Sequence, residues 1–428
     1  MAHTATSLLI RNAHLFDPAY GVDETGDVLV RDGCIAEIGA NLPRSGPAVD
    51  AGGRHLFPGF CDPHVHFRTP GQTEKEDIES GSRAALAGGF TSVIQMPNTS
   101  PVIDRPELVR DLTRDEPIEL RVLAAVTWDN ASFHLADLPA LLGAGAVGFT
   151  DDGQPIGDPG LMREALEFSS ERHVPIANHA EDKSIGEPGV MRAGPVAEAM
   201  GVPGVDPRRE WVMVERDIRL ARETGGHLHV CHVSTRRSLD AIRDARAHGV
   251  RVTAEVTPHH LVLTSEDVLR YGTNAKMSPP LGDSADRDAL VRGFANGTID
   301  CLATDHAPHT PVEKEKSLAW APFGVIGLET AFGVVHTELV STGKVSLTRL
   351  IDAMTHLPRE IYGLERVGLF VASRADLVLV DLEKKWTVDP EKFQSKGRNC
   401  PFAGRELAGR VLWTMYRGKI LWELPDGA

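Results

Sequence analysis

Eight short apolar runs recur along the middle of this chain, and each ends in a histidine, aspartate, asparagine or threonine. Intervals of 25 to 53 residues separate the polar ends, which are His66, Asn98, Thr127, Asp152, His179, His232, His259 and Asp305. Helix-like segments such as EDIESGSRAALAGG and EWVMVERDIRLARETGG lie between the runs. Because a strand and its crossover helix need about 30 residues, the series predicts a (β/α)8 barrel of the TIM type.

The polar ends favour a barrel over the other α/β architecture. In a (β/α)8 barrel the carboxyl ends of all strands meet at one rim, and catalytic residues lie there. A doubly wound open sheet is the alternative, but it gives no reason for a polar residue at the end of every run. The glycine-rich phosphate loop that usually accompanies that fold is also missing from the sequence.

Both ends of the chain have the pattern of β-strands. The runs LLIRNAHLF, DVLVRDGCIAEIG and AVDAGGRHLFPG precede the barrel, and ADLVLVDLEKKWTV and GRVLWTMYRGKILW follow it. Short apolar or alternating runs that are broken by Gly, Asp and Pro are typical of strands. We predict a small β-rich domain formed by residues 1–57 and 366–428, with the barrel over residues 58–365.

Composition and charge exclude several classes of function. Lys+Arg is 45 and Asp+Glu is 60, for a net charge of −15, which disfavours a nucleic-acid partner. No segment has the apolar length of a membrane span, and the N-terminus lacks the pattern of a signal peptide. Five dispersed cysteines without a CxxC pair disfavour a disulfide framework, and we expect them to be buried small side chains. These features predict a cytoplasmic protein without a membrane partner.

The strongest local signal for chemistry is Asp62-Pro63-His64-Val65-His66 at the end of the first run. Strand alternation places His64 and His66 on one face, pointing into the barrel mouth. Two such imidazoles suit a divalent metal such as zinc, although an isolated HxH pair is a weak signal. His179 and His232 end the fifth and sixth runs at the same depth. Four histidines on one rim would be costly without a metal, which predicts a metal centre.

Two carboxylates complete this predicted centre. Asp152 ends the fourth run and supplies a carboxylate between the two histidine pairs, which predicts a two-metal site with a bridging ligand. Asp305 ends the eighth run, opposite the metals, where it can take a proton from a water and return it to a leaving nitrogen. A further metal ligand or a structural hydrogen-bonding group is the alternative for Asp305. The set as a whole predicts a metal-dependent hydrolase of amide-type bonds.

Several motifs carry a resemblance to a known family. FPGFCDPHVHFRTPG resembles the opening HxH strand of the amidohydrolase superfamily. MPNT, GFTDDG, NHAED, CHVST, TDHAPH and APFGVIGLET occur in the order found in its cyclic amidohydrolases and resemble the bacterial type I dihydroorotases. The likeness covers nearly the whole chain, including the β-rich ends. It implies reversible, zinc-dependent interconversion of dihydroorotate and N-carbamoyl-aspartate in pyrimidine biosynthesis, with two Zn2+ ions per subunit.

The resemblance also assigns roles to single residues. It implies that the metal ligands are His64, His66, Asp152, His179 and His232, and it selects Asp152 over the adjacent Asp151. Asp305 matches the catalytic acid/base. The positions that match substrate contacts are His66, Phe67, Arg68, Asn98, Ser278, Asp305, His309, Phe323 and Gly324. Arg68 is chemically suited to this role, because a guanidinium pairs bidentately with the ring carboxylate of dihydroorotate.

The sequence departs from the family pattern after the seventh run. The family segment usually resembles NPPLR, whereas this chain has Ser278-Pro279-Pro280-Leu281-Gly282. Ser278 replaces an Asn that normally touches the substrate ring, and it offers one hydroxyl instead of a two-sided amide. Gly282 stands where an Arg is usual. The charged segment 311–316 follows the eighth run and is either solvated surface or a lid over the barrel mouth.

Two other functions compete with the dihydroorotase interpretation. In dihydropyrimidinases, hydantoinases and allantoinases the family's bridging group is a carboxylated lysine on the fourth strand, but GAVGFTDDG contains no Lys. A hydantoinase-type enzyme is therefore the first alternative. The second is a non-catalytic homologue that partners aspartate transcarbamoylase; such a protein would have lost metal ligands, whereas this chain keeps them. The resemblance also implies a homodimer and an association with aspartate transcarbamoylase.

Overall fold

The structure, a computed structural model, describes residues 7–43 and 46–425 of the 428-residue chain. Its strands, in chain order, are β1 (Ser7–Asp17), β2 (Val22–Arg31), β3 (Cys34–Gly39), β4 (Ala48–Asp50), β5 (His55–Pro58), β6 (Phe60–Val65), β7 (Phe90–Gln95), β8 (Glu119–Val122), β9 (Ile176–Asn178), β10 (Met191–Arg192), β11 (Gly204–Val205), β12 (Leu228–Val230), β13 (Val252–Val256), β14 (Cys301–Leu302), β15 (Leu377–Thr387), β16 (Glu406–Tyr416) and β17 (Lys419–Glu423). The α-helices are α1 (Ile78–Ala87), α2 (Pro106–Leu112), α3 (Leu138–Gly143), α4 (Pro159–Arg172), α5 (Pro195–Met200), α6 (Arg208–Thr224), α7 (Arg236–Ala247), α8 (Pro258–Val262), α9 (Val268–Tyr271), α10 (Ser284–Ala295), α11 (Pro311–Lys314), α12 (Ala331–Val335), α13 (Leu347–Met354) and α14 (His356–Ile361).

One sheet joins the two ends of the chain. Its strand order is β17-β16-β15-β5-β1-β2-β3, and β4 pairs with β1. The link between the ends is the antiparallel pair of β15 with β5, in which Leu377 lies opposite Pro58. Ile10, Leu15, Leu56 and Trp413 belong to the separate hydrophobic cluster of this sheet. The strands that the sequence predicted at both ends therefore pair with one another, while the domain limits at residues 57 and 366 stay a prediction.

The middle of the chain forms a closed ring of parallel pairings. β6, β7 and β8 pair in that order, and β9, β12, β13 and β14 form a second parallel set. Phe149 joins the two sets through bridges to Ala124 and Ile176, and a bridge between Val65 and His306 closes the ring. This arrangement is the predicted (β/α)8 barrel. Its fourth run contributes only the Phe149 bridge and not the regular strand that the sequence predicted.

Burial explains why these strands form an interior barrel. Every residue of β6 and of β7 is buried, as expected when a parallel sheet is covered on its outer face and filled on its inner face. The helices cover the outside. α6, for example, buries Met213, Val214 and Ile218 along one stripe. The two segments for which the sequence predicted helices form α1 and α6, which confirms both predictions. Packing of these apolar stripes positions the strand ends that carry the site.

Two negative expectations concern the location of the chain. Across residues 7–43 and 46–425, no helix is both long enough and apolar enough to cross a membrane. The five cysteines are free. Cys61, Cys231, Cys301 and Cys400 are buried, whereas Cys34 is exposed at the start of β3, so the prediction of burial is wrong for Cys34. The reason is its place beside the turn between β2 and β3, where the sheet ends.

A buried ion-pair cluster fastens the barrel to the C-terminal strands. The carboxylate of Glu119 in β8 accepts hydrogen bonds from Ser92 in β7 (2.6 Å), Arg359 in α14 (2.9 Å) and Arg374 ahead of β15 (2.9 Å). Arg359 is one of the largest fully buried side chains. Burial raises the pKa of Glu119, but the charges of the two arginines and the Ser92 hydroxyl lower it further, to about 2. The carboxylate is therefore ionised and paired.

Replacing Glu119 by Gln should lower the free energy of unfolding by about 3 kcal/mol at pH 7, because it leaves buried guanidinium charge unpaired. The pKa of Glu119 falls from 4.5 to about 2 on folding. Its stabilisation is therefore present above pH 4.5 and is lost as the pH falls towards 2. Urea unfolding at pH 7 and pH 3 measures this, with the exposed Glu79→Gln as control. A difference between wild type and Glu119→Gln that is the same at both pH values would contradict the ionic origin.

Candidate metal centre and active site

The predicted metal ligands come together at one end of the barrel. His64 lies in β6, His66 directly after it, His179 directly after β9 and His232 two residues after β12, while Asp152 follows the Phe149 bridge. All of these side chains are buried, with at most 6% of each residue exposed. The strands deliver them to one rim because parallel strands of a barrel end on the same side.

Asp152 lies at the centre of the cluster. Its Oδ1 is 3.6 Å from His64 Nε2 and 3.7 Å from both His179 Nδ1 and His232 Nε2. Its Oδ2 is 3.6 Å from His66 Nε2. One carboxylate thus faces four imidazoles, with one oxygen directed towards three of them and the other towards the fourth. The predicted role of Asp152 as a bridge requires an arrangement of this kind.

The residues present suit a bound metal ion. His64 Nε2 and Asp152 Oδ1 are buried, face each other and have no hydrogen-bond partner in the part of the chain that the structure describes. An unsatisfied buried polar atom costs about 1–3 kcal/mol, so two of them side by side call for a ligand between them. Nitrogen and carboxylate-oxygen donors are the set that divalent zinc prefers. His64, Asp152 and His232 form one group whose donor atoms are close enough to hold an ion, and His64, His66 and Asp305 form another.

His179 completes this side of the cluster. Its Nδ1 lies 3.0 Å from His232 Nε2, so both nitrogens face the same point near Asp152. Its other nitrogen, Nε2, is 3.7 Å from Glu181, whose carboxylate also pairs with Arg209. Burial lowers the pKa of His179, but the nearby carboxylates of Glu181 and Asp152 raise it above its ordinary value. Nδ1, on the side of the ring away from Glu181, faces Asp152 at 3.7 Å.

Asp305 lies beside the histidines of β6. Its Oδ1 is 3.1 Å from His66 Nε2 and 3.5 Å from His64 Nε2. Burial raises the pKa of Asp305, but the hydrogen bond from His66 and the charges of the surrounding imidazoles lower it below its ordinary value. The carboxylate is therefore ionised and can accept a proton. Geometrically it could also serve as a ligand, which is the alternative that the sequence left open.

Three residues at this rim have backbones in the left-handed region. The φ angles are 56° at Arg68, 31° at His232 and 48° at Asp305. A residue with a side chain rarely adopts such angles, and each instance costs about 1–3 kcal/mol unless the surroundings enforce it. Strain of this kind concentrates where side chains must be aimed at a functional point. At these three residues, the left-handed backbone turns the chain at the strand ends so that the side chains point towards the cluster.

Asn98 bridges two of the candidate ligands. Its Oδ1 is 2.9 Å from His66 Nδ1, and its Nδ2 donates to Asp152 Oδ2 at 3.0 Å. Both faces of the amide are therefore occupied by predicted metal ligands. The sequence predicted a contact with substrate for Asn98, and the structure adds that it orients His66 and Asp152.

Arg68 and His309 form a second, positively charged part of the rim. Arg68 donates through Nε to the Pro308 carbonyl at 3.3 Å, and its Nη2 lies 3.4 Å from His309 Nε2. His309 Nε2 is closer to the Phe323 carbonyl, at 2.8 Å, so we assign its proton to that bond. Burial and the charge of Arg68 lower the pKa of His309 to about 3, which keeps it neutral. Within the described chain, Nη1 of Arg68 has no hydrogen-bond partner and can receive an anionic group.

Gly324 fits closely beside this pair. Its φ is 130°, and a Cβ there would lie 2.9 Å from Ala307 and 3.1 Å from His309 Nε2. Only glycine satisfies both conditions without strain. Lys314 of α11 donates to the Gly324 carbonyl at 2.9 Å, so the segment after Pro311 is fastened to the rim. Phe323 is partly exposed, at 37% of its surface, next to this point.

Two other residues predicted to contact substrate have side chains that lie away from Arg68, His309 and Gly324. The side chain of Phe67 is fully buried in the main hydrophobic cluster and packs against Gly81 of α1. It follows His66 in the chain and points to the opposite side, so only its backbone remains at the rim. Ser278 is half-buried and lines a small cavity together with His179 and Arg192.

Sequence reasoning missed Glu255. It lies in β13, is fully buried, and its Oε1 is 2.7 Å from His64 Nδ1, the nitrogen that faces away from Asp152. The signal was present, because a carboxylate inside the apolar run RVTAEV is buried on the inner face of a barrel strand. Among the described residues, neither His259 nor His179 belongs to a group of three donor atoms close enough to hold an ion, but His179 lies 3.7 Å from Asp152. His259 has no such contact with a candidate ligand. It lies at the start of α8 and not in a strand.

Comparison with known proteins shows which family the chain resembles over its length. The model of the amidohydrolase family matches residues 55–421. The dihydroorotase of Pelotomaculum thermopropionicum is 43% identical over 97% of this chain and 98% of its own length. The dihydroorotase of Bacillus licheniformis is 44% identical over 97% of this chain and 98% of its own.

Solved structures show the same architecture. The L-hydantoinase (dihydropyrimidinase) of Arthrobacter aurescens superposes with a TM-score of 0.86 at 27% identity, covering 97% of this chain and 96% of its own. The D-hydantoinase (dihydropyrimidinase) of a Thermus species gives a TM-score of 0.83 at 26% identity, with coverages of 97% and 95%. The barrel, the β-rich domain and the full-length sequence matches lead to one conclusion: this chain belongs to the amidohydrolase family, in the group of the bacterial dihydroorotases.

Proposed function

We propose that this chain is a dihydroorotase, which interconverts (S)-dihydroorotate and N-carbamoyl-L-aspartate in pyrimidine biosynthesis. The observation that carries the proposal is the Asp152 carboxylate, which faces the imidazoles of His64, His66, His179 and His232 at 3.6–3.7 Å. An aspartate in this place is the bridging group expected of a type I dihydroorotase. The relatives named dihydroorotase, at 43–44% identity over nearly the whole length, support the same substrate.

The proposal includes two zinc ions per subunit. The ions would be held by His64, His66, His179 and His232, with Asp152 as a ligand shared between them. The nitrogen and carboxylate donors support zinc, and a shared carboxylate supports a pair of ions. Divalent ions bound there would supply Lewis acidity and lower the pKa of a water to near neutrality.

The residues of the chain divide the remaining chemistry between them. Asp305, which is ionised, accepts a proton from the attacking water and passes it to the departing ring nitrogen during hydrolysis. In the ring-closing direction the same carboxylate takes the proton from the carbamoyl nitrogen. Its position 3.1 Å from His66 Nε2 places it beside the candidate metal ligands.

Arg68 gives the proposed site its specificity. The free Nη1 of Arg68 and the adjacent His309 would hold the ring carboxylate of dihydroorotate, because a guanidinium pairs well with a carboxylate. The amide of Asn98 and the backbone at Phe67, Phe323 and Gly324 would line the same pocket. Ser278, beside His179, would offer one hydroxyl to the ring.

A hydantoinase-type activity is the competing function, because this chain shares its fold with hydantoinases. The structural neighbours named above are hydantoinases. Hydantoins and dihydrouracil lack the carboxylate that Arg68 is proposed to bind. A non-catalytic role is disfavoured because all predicted ligands are present and gathered in one cluster.

The assembly and location of the chain remain proposals that rest on the resemblance. We propose a homodimer that associates with aspartate transcarbamoylase in the cytoplasm, where free cysteines stay reduced. Light scattering of the purified chain, alone and mixed with the transcarbamoylase of the same organism, measures both assemblies.

Metal removal should abolish turnover reversibly. Purified protein should contain about two zinc ions per chain by elemental analysis, and dialysis against a chelator should remove activity in both directions. Adding back Zn2+ should restore it. Bound metal without turnover of dihydroorotate, but with turnover of dihydrouracil or a 5-substituted hydantoin, would replace the proposed substrate by that of a hydantoinase.

Asp305→Asn should reduce kcat by at least about 1,000-fold, because the amide cannot accept the proton, while the metal content stays near that of the wild type. Steady-state kinetics and elemental analysis on the same sample measure both quantities. Asp62→Asn, a buried carboxylate that binds Thr304 and not an imidazole, is the matched control for protein integrity. Loss of metal together with activity would assign Asp305 as a ligand instead.

Arg68→Lys should lower kcat/KM for dihydroorotate by about 100-fold, since an ammonium cannot reproduce the paired hydrogen bonds to a carboxylate. Turnover of dihydrouracil, which lacks the carboxylate, should be unchanged. The exposed Arg83→Lys in α1 is the control for the substitution itself. An equal loss with both substrates would show that Arg68 supports the site without reading the carboxylate.

A further inference from the structure

Glu255 connects the histidines of two different barrel strands. Its Oε1 is 2.7 Å from Nδ1 of His64, which belongs to β6, and accepts the backbone N–H of His232, which follows β12, at 3.3 Å. Its Oε2 is 3.2 Å from Nε2 of His229. Glu255, His64 and His229 have no exposed surface. The carboxylate therefore contacts two of the predicted ligands without reaching the face that they present to Asp152.

These contacts determine which nitrogen of His64 carries the proton. An ionised carboxylate only accepts hydrogen bonds, so His64 Nδ1 must donate to Glu255. The other nitrogen, Nε2, is then the one that gives up its proton when a metal ion binds. It is the buried, unpartnered atom that lies 3.6 Å from Asp152 Oδ1. A metal ion binds only the unprotonated nitrogen of an imidazole.

Donor and acceptor roles can also be assigned to the residues on the other side of Glu255. His229 donates from Nε2 to Glu255, so its Nδ1 accepts from the Thr253 hydroxyl at 2.8 Å. That hydroxyl in turn accepts from His227 Nε2 at 2.8 Å, which leaves His227 Nδ1 as an acceptor. Nδ1 of His227 is indeed buried and without a partner within the described residues. One hydrogen-bonded chain thus runs through the barrel interior with a single consistent direction.

We propose that Glu255 is a positioning residue of the metal centre, which fixes His64 in the Nδ1–H tautomer and ties it to the backbone of His232. The inference rests on the proposed metal-dependent function and adds a residue to it. A carboxylate that accepts from the distal nitrogen of a metal-binding histidine orients the ring and makes it a better ligand. The chain through His229, Thr253 and His227 holds that carboxylate in turn.

The alternative is that Glu255 is an ordinary buried carboxylate whose contacts only stabilise the fold. A further alternative is that it binds a metal itself, since His64, Cys231 and Glu255 also form a group of suitable donor atoms. In the second case the two oxygens would have to release their imidazole partners. The experiment separates these three roles.

Glu255→Gln is the test variant, because it keeps shape and volume but presents an amide in place of an acceptor-only group. The amide can donate to His64 Nδ1 and so stabilise the tautomer in which Nε2 carries the proton. Asp62→Asn is the matched control, since Asp62 is equally buried and accepts from Thr304 and from the His64 backbone, but from no ring nitrogen. Circular dichroism and thermal unfolding verify the fold of both variants.

The first readout needs neither metal nor turnover. In metal-free protein labelled with 15N in histidine, at a pH high enough for the His64 ring to be neutral, His64, assigned by comparison with His64→Asn, should show Nδ1 protonated and Nε2 unprotonated in the wild type and in Asp62→Asn. In Glu255→Gln the Nε2-protonated form should appear. An unchanged His64 tautomer in a folded Glu255→Gln protein would overturn the proposal.

The second readout is Zn2+ affinity measured by competition with a chromophoric chelator. Glu255→Gln should bind zinc 10- to 100-fold more weakly than the wild type, and Asp62→Asn should bind within about threefold. Equal affinity of Glu255→Gln and wild type overturns the inference. A wild type that binds no zinc overturns the proposed function instead. A thiolate charge-transfer band in the Co2+-substituted protein would show direct ligation with Cys231 and would also overturn the positioning role.

Discussion

Closure of the barrel between its first and last strands is the constraint on which the site depends. Val65 pairs with His306, and the His66 amide donates to the His306 carbonyl at 2.9 Å. Just below, Asp62 accepts the Thr304 amide at 3.1 Å and the Thr304 hydroxyl at 2.5 Å. These bonds join segments about 240 residues apart in sequence. The backbone pairing of Val65 and His66 with His306 brings the histidines of β6 next to Asp305.

The interior of this barrel contains buried polar groups, and those below the rim form hydrogen bonds with one another. Asp62 and Glu255 are fully buried, and their carboxylates accept hydrogen bonds from backbone amides, hydroxyls or imidazoles. Burial raises the pKa of Asp62 to about 7, since its partners are neutral. Glu255 differs because the charge of His64 and the hydrogen bonds from His229 and His64 outweigh burial and lower its pKa to about 2. At the rim above them, His64 Nε2 and Asp152 Oδ1 have no hydrogen-bond partner among the described residues, so both atoms are open to a bound ion.

Much of the site could be predicted from the sequence because strand ends and ligands coincide. The HxH pair fixes a face by alternation, and the later histidines fall at equivalent strand ends, so His179 and His232 join His64 and Asp152 as predicted. Glu255 could not be found in this way, since it acts from below the rim and its partner His64 lies 191 residues away in the chain. For Phe67, the sequence identified the residue but not the direction of its side chain. Motif matching names the residue, but only the packing against Gly81 reveals that its side chain faces the core.

The departure from the family pattern at Gly282 also has a structural reason that spacing could not supply. A Cβ at residue 282 would lie 2.8 Å from the Asp286 Cβ and 3.2 Å from Arg192 Nη2. Arg192 is buried, and its guanidinium donates to Asp286 at 2.8 Å. The space beside Gly282 is thus filled by an arginine from β10, a distant part of the chain. Arg192 lines the same small cavity as Ser278 and His179. A guanidinium from another strand, paired with Asp286, therefore lies directly beside the segment 278–282 and leaves little room for a side chain at residue 282.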